Sequence, residues 1–248
     1  VPEVTLIFWV IKILATTVGE TAGDAVSMSL HLGYLLSTVI FSVLFLVAVS
    51  AQIRSDKFRP FLYWATIIST TTAGTTLADY ADRSLGIGYA GGSSLLLALL
   101  LASFFAWHRA LGTTAVATIS SKKAELFYWV TIMFSQTLGT ALGDWTVDTA
   151  GLGYDGSALI FAGLLVMLAA AWYWTALSRT FLFWTAFILS RPLGAVVGDF
   201  LDKPASAGGL EFSRYTATLV LLAAILILVS FSYRTGSRVT ASSGGPSS

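Results

Sequence analysis

Cysteine and asparagine are both absent from the 248 residues. The first absence excludes disulfides, iron–sulfur clusters, thiolate zinc sites and cysteine nucleophiles together. The second leaves no N-glycosylation signal. Histidine occurs only at His31 and His108, too few for a histidine-rich metal site or a catalytic triad with a second base. Charge is scarce as well: 11% of residues are Asp, Glu, Lys or Arg, against about 25% in an ordinary soluble domain. The 14 cations and 13 acids leave a formal charge of +1, so neither a basic face for nucleic acid nor an acidic solvating tail is present. What fills the chain is apolar, 56% of the residues with a mean hydropathy of +0.79. The solvent that suits this composition is a lipid bilayer.

Eight apolar stretches are long enough to cross a hydrocarbon core of about 30 Å. They fall near 4–26, 31–52, 60–81, 92–108, 125–147, 157–177, 180–202 and 214–233. The spacing therefore predicts an all-α integral membrane protein with a single transmembrane domain over 1–238. Residues 239–248 are small and polar and read as a flexible tail or an expression remnant, and no basic leader with a cleavage pattern precedes the first span. Nine of the 14 cations lie at one set of ends: Arg54, Lys57, Arg59, Arg109, Lys122, Lys123, Arg179, Arg234 and Arg238. The positive-inside bias then puts both termini in the cytoplasm of a multi-pass inner-membrane protein. Trp9, Trp64, Trp129 and Trp184 open the odd spans and are expected to anchor them at the headgroup level. His31 and His108 fall on opposite sides, which argues against a bis-histidine haem.

The chain is four copies of one unit. Each of these tryptophans is followed ten residues on by Gly19, Gly74, Gly139 or Gly194, and five further on by Asp24, Asp79, Asp144 or Asp199. Successive aspartates are 55, 65 and 55 residues apart, as if a doubled unit had been doubled again. The repeats cover about 4–53, 59–108, 124–177 and 179–234. Because each contains two spans, all four run the same way through the membrane, and a quasi-fourfold ring is the simplest arrangement. Two glycine patterns of the form GxGxxG, at Gly86/Gly88/Gly91 and Gly151/Gly153/Gly156, join hydrophobic helices rather than a strand and a helix. They read as turns and not as a dinucleotide site.

On a helix of about 100° per residue, positions four, seven and eight before each Asp share its face. That face carries Glu20, Thr17 and Thr16 with Asp24, then Thr75, Thr72 and Thr71 with Asp79, then Thr140, Thr137 and Gln136 with Asp144. In the fourth unit it carries Ala195, Pro192 and Arg191 with Asp199, and Arg191 is expected to reach one of the aspartates. An adjacent face is small: Gly19 with Gly23, Gly74 with Ala78, Gly139 with Gly143, Gly194 with Gly198. Such pairs let helix backbones approach closely in a membrane, so the odd spans are expected inside and the nearly pure apolar even spans outside, facing lipid. Lys12, one turn beyond Trp9, is expected to snorkel toward the cytoplasmic surface.

Each Asp lies 15 residues past its tryptophan, about 22 Å along a helix. Carboxylates at that depth cost several kcal/mol unless they meet water, a partner or an ion. This argues for an ion-binding set of Asp24, Asp79, Asp144, Asp199 and Glu20, with Thr16, Thr17, Thr71, Thr72, Thr75, Gln136, Thr137, Thr140 and Arg191 lining a path. Oxygen donors without cysteine favour a hard divalent metal ion such as Mg²⁺, Mn²⁺ or Ca²⁺, or a proton, and no other cofactor. The competing reading is a scaffold or sensor whose carboxylates cap their own turns and whose threonines bond their own helix. An enzyme has no nucleophile–base pair to work with. Thr17-Val18-Gly19 matches the start of a potassium-channel filter, but Glu20-Thr21-Ala22 does not continue it, and a filter needs extended backbone.

The Trp-x9-Gly-x3-(Gly/Ala)-Asp unit, with its Leu-Gly-Tyr turns, resembles an uncharacterised family of bacterial multi-pass membrane-anchored proteins built from such repeats. The resemblance runs to about Tyr233 and implies the membrane architecture without an activity.

Overall fold

The computed structural model describes residues 1–55 and 57–242, the last nine of these by backbone alone. Of the expected tail, 239–242 continue the last helix and 243–248 lie outside the described residues. Eight long helices occur among the described residues: α1 (Leu6–Asp24), α2 (Gly33–Arg54), α3 (Pro60–Asp79), α4 (Tyr89–Leu111), α5 (Lys122–Asp144), α6 (Gly153–Trp174), α7 (Arg179–Asp202) and α8 (Arg214–Ser242). No strand occurs among the described residues, so the two GxGxxG patterns sit in helix–helix turns. Their Gly86, Gly88, Gly151 and Gly153 all have positive φ, which a residue without a Cβ adopts at no steric cost. The filter-like Thr17-Val18-Gly19 is plain α-helix.

Capping follows local chemistry. Thr5, Ser121 and Ser178 accept from Phe8, Ala124 and Phe181 at the starts of α1, α5 and α7, and Pro60 occupies the first turn of α3, where its missing N–H is not needed. After Asp24, Asp79 and Asp144 the helix widens into a π turn, at Ala25–Ser29, Tyr80–Ser84 and Trp145–Thr149. In the fourth repeat the α-helix runs on past Asp199 to Asp202 and stops at Lys203-Pro204, since the residue before a proline is pushed out of helical conformation.

Among the described residues, six helical segments are long and apolar enough to cross a membrane: Leu6–Ser29, Gly33–Arg54, Tyr89–Leu111, Gly153–Trp174, Arg179–Asp202 and Arg214–Tyr233. Helices α3 and α5 fall outside that set. Their composition explains it: α3 carries Thr66, Thr70, Thr71, Thr72, Thr75 and Thr76, and α5 carries Lys122, Lys123, Glu125 and Gln136. The protein buries the threonines of α3 and Gln136 of α5 itself, whereas Lys122 and Lys123 are exposed.

The packing is regular. Helix α1 lies against α3 and α7, and α5 lies against the same two. Each even helix packs on the odd helix of the following repeat, α2 on α3, α4 on α5, α6 on α7, and α8 returns to α1. The odd helices are largely buried, whereas the even ones expose leucines and valines such as Leu95, Leu97, Leu101, Leu219 and Val220.

The tryptophans depart from their expected role. Trp64, Trp129 and Trp184 are buried, and with Phe8, Tyr63, Tyr128, Phe183 and Trp107 they form one aromatic layer at the starts of the odd helices. The reason is that the residue before each tryptophan is also aromatic. Each neighbouring pair stacks edge to face, as in Tyr63–Trp64 at 5.3 Å and Tyr128–Trp129 at 5.2 Å, and the hydroxyls of Tyr63 and Tyr128 meet at 2.6 Å.

Candidate functional site: a buried carboxylate network

The geometry of the site starts with the glycines. A Cβ on Gly19 would strike Thr71 of α3, one on Gly74 would lie 3.0 Å from the backbone nitrogen of Thr137 on α5, one on Gly139 would strike Arg191 of α7, and one on Gly194 would strike Thr16 of α1. In three of the four pairs the second residue is also glycine and repeats the contact one turn on: Gly23 against Thr75, Gly143 against Ala195, Gly198 against Glu20. Each odd helix thus presents its small face to the polar face of the next. The polar stripes are held between backbones in van der Waals contact.

Along those stripes the threonines divide. Thr17, Thr72 and Thr137 donate to carbonyls of their own helices, Ile13, Ile68 and Met133, the local satisfaction usual for hydroxyls inside membrane helices. Thr16 bonds Ile13 and also reaches the Ser190 carbonyl at 3.4 Å. Thr75 reaches the Gly19 carbonyl and Glu20 Oε2, both at 3.3 Å. Thr71 and Gln136 are buried with side-chain atoms lacking any hydrogen-bond partner.

Arg191, fully buried, is the hub of this level. Its Nη2 donates to Glu20 Oε2 at 3.0 Å and to the hydroxyls of Thr75 and Thr140, touching the other three odd helices at once. Its ion pair is with Glu20, not with an aspartate as the sequence suggested. The glutamate sits one turn nearer to it than Asp24, because Arg191 is eight residues before its own Asp199. Lys12 does not snorkel. It is fully buried, with Nζ 4.2 Å over the Phe187 ring and 3.4 Å from Ser190 Oγ, since the aromatic layer closes the route back to the surface.

The four aspartates lie one turn further along and are paired in twos. Arg83 Nε bonds Asp79 at 2.8 Å and its Nη2 lies 3.7 Å from Asp144. Lys203 contacts Asp24 and forms an ion pair with Asp199 at 2.9 Å. Arg214, at the start of α8, bonds Asp202 at 3.2 Å and lies 3.8 Å from Asp24. Burial works against the charge of Lys203, but the carboxylates of Asp199, Asp24 and Asp202 outweigh it and hold the ammonium well above the ordinary lysine range. Two triads offer converging carboxylate oxygens within 4.8 Å of one another, Glu20/Asp24/Asp79 and Asp24/Asp199/Asp202. Asp24 belongs to both.

Asp202, Lys203 and Arg83 lie in sequence at or just beyond the ends of odd spans and Arg214 at the start of the last even one, and their joining the aspartates in one network was not expected. The signal was available for two of them: Arg83 follows Asp79 by four residues as Lys203 follows Asp199, one turn on the same face. Arg214 depends on α8 folding back onto α1, which spacing does not disclose. The pocket lined by Gln52, Lys57, Tyr63, Glu125 and Tyr128 lies at the other end of the helices, away from this chemistry.

Fold and site together define a multi-pass helical membrane protein whose repeats bury a network of ion pairs. Four segments, 7–58, 62–114, 127–178 and 182–238, match the family described as Repeat of Unknown Function (DUF347), and the chain belongs to that family. Neither a curated protein nor a solved structure matches it.

Proposed function

We propose that the protein carries hard cations, a divalent metal ion such as Mn²⁺, Mg²⁺ or Ca²⁺ or a proton, across the inner membrane, with both termini cytoplasmic. In this reading all eight helices cross the membrane. The odd ones form a quasi-fourfold inner ring and the even ones face lipid, which agrees with the pairwise packing and with the exposed apolar side chains of α4 and α8.

The observation that carries the reading is an imbalance of buried charge. Glu20, Asp24, Asp79, Asp144, Asp199 and Asp202 are all buried, and only Arg191, Arg83, Lys203 and Arg214 pair with them among the described residues. Six carboxylates against these four cations, with the buried Lys12 as a fifth, leave a net negative charge in a low dielectric that favours uptake of further positive charge. Asp24, shared by both triads, offers a step from the outer set to the deeper one beside Arg191. The aromatic layer closes the far end, so the conformation is occluded and transport requires that layer to part.

The test is flux into proteoliposomes containing a Mn²⁺-sensitive or pH-sensitive dye. Wild-type protein is expected to admit Mn²⁺ or protons down an imposed gradient, and Asp24→Asn to lose that flux while reaching the membrane in normal amount. Folded wild-type protein inert to every cation tried would sink the proposal. One observation favours a non-transporting scaffold or sensor instead: the Arg191 hub ties all four odd helices together and serves assembly equally well. In that case Asp24→Asn and Asp144→Asn lower stability, and no ion flux exists to be lost.

A further inference from the structure

We propose that Asp24, Asp199 and Asp202 form a divalent-cation site that the protein keeps filled with its own Lys203, a tethered competitor that the incoming ion must displace. This rests on the transport reading and names the interface, α1 against the end of α7, at which the ion binds.

The three carboxylates present oxygens within 4.8 Å of one another. Opposite ligands of a bound Mg²⁺ are about 4.2 Å apart and those of Ca²⁺ about 4.8 Å, twice the metal–oxygen distance. A cation already occupies the cluster, since the Lys203 ammonium bridges Asp24 and Asp199. The bridge leaves coordination unused: Asp24 Oδ1 and Asp202 Oδ1 are buried and have no hydrogen-bond partner. The way in is through the occupant itself, because the side chains of Lys203 and Arg214 are 13% and 21% exposed while that of Asp24 is 1% exposed.

Charge favours a divalent ion over a monovalent one. With Lys203 in place the three carboxylates and the neighbouring Arg214 leave the site one negative charge in excess. Replacing the ammonium by a 2+ ion makes it neutral, and replacing it by Na⁺ changes nothing. The repeat-related half differs in both respects that matter. Its cation is Arg83, whose planar guanidinium binds two carboxylates at once and does not leave as a point charge does, and Asp82, the counterpart of Asp202, does not join Asp79 and Asp144 in a converging group among the described residues. Exchange is therefore assigned to one half of the doubled unit.

The experiment is a titration of thermal unfolding of the purified full-length protein with MnCl₂, MgCl₂ and CaCl₂ at constant ionic strength, with NaCl as control. Lys203→Gln is expected to tighten divalent binding by about tenfold or more, the effect of removing a like charge from contact with the site, and Asp202→Asn in that background to abolish the gain. Lys123→Gln, which removes an exposed cation at the other end, is expected to change nothing. Wild-type binding that Lys203→Gln leaves unchanged or weakens overturns this inference alone; no divalent binding by any variant overturns with it the divalent-metal form of the transport reading and leaves only the proton as cargo. Should Lys203→Gln not fold, Lys203→Arg decides: a larger fixed cation must weaken binding, and tighter binding than wild type refutes the competitor role.

Discussion

Arg191 and Glu20 illustrate what a buried charge does when its partner is removed. Both are fully desolvated and joined at 3.0 Å, so Arg191→Met strands the glutamate, and a loss of about 3–5 kcal/mol is expected. The double variant Arg191→Met/Glu20→Met removes both charges and is expected to recover most of that loss. Urea or thermal unfolding in detergent measures both. Equal destabilisation by single and double variants would mean the arginine matters for its hydrogen bonds to Thr75 and Thr140 and not for its charge. A smaller effect belongs to His31, which holds φ at +56° where the second and third repeats have Gly86 and Gly151. His31→Gly relieves that left-handed strain at some entropic cost and is expected to stabilise by about 0.5–1 kcal/mol. At this scale the sequence was informative about which residues carry charge into the membrane and silent about whom they meet. The aspartate spacing is a local property of a helix. The partner of Arg191 lies 171 residues away and depends on the order in which helices close on one another, and Lys12 was misjudged because its burial depends on aromatic rings from other repeats.

At the scale of elements, the small faces set how closely the odd helices approach, and the cost of disturbing them depends on what each Cβ would meet. Gly74 faces the backbone nitrogen of Thr137 at 3.0 Å, and backbone cannot yield as a side chain can. Gly74→Ala is therefore expected to cost about 1–3 kcal/mol. Gly163, on α6, has nothing within 4 Å of the added carbon, so Gly163→Ala is expected to be neutral or to stabilise by up to about 1 kcal/mol through helix propensity. Comparison of the two melting temperatures isolates packing from propensity, and an equal response would remove the close-approach argument. The repeat, its helix boundaries within a few residues and the small faces are all visible in the periodicity. The π turns after Asp24, Asp79 and Asp144 are not, because widening a helix by one residue is a response to tertiary packing and leaves no compositional mark. The fourth repeat does announce its difference through Lys203-Pro204.

For the molecule as a whole, opposite chemistry is sorted to opposite ends. Carboxylates and their cations gather where the odd helices finish, and rings gather where they begin. Even helices cover the odd helix of the next repeat, so no repeat is a closed unit and α8 must reach α1 before the first odd helix is covered. In a structure held this way, the layer of Phe8, Tyr63, Tyr128 and Phe183 is the barrier between the buried network and the side that holds the termini. Its rings occupy the repeat-equivalent positions and exclude water by area and by edge-to-face contact, with only the Tyr63–Tyr128 hydroxyl pair as a polar element. Tyr63→Phe/Tyr128→Phe keeps the rings and is expected to stay tight. Tyr63→Ala/Tyr128→Ala removes two of the four plugs and is expected to raise passive proton leak several-fold in proteoliposomes under an imposed pH gradient, read with a trapped pH dye. If the alanine variant folds and remains as tight as wild type, the seal lies elsewhere along the odd helices, and the Arg191 level, with its three helix-to-helix hydrogen bonds, becomes the barrier that the proposed transport would have to open.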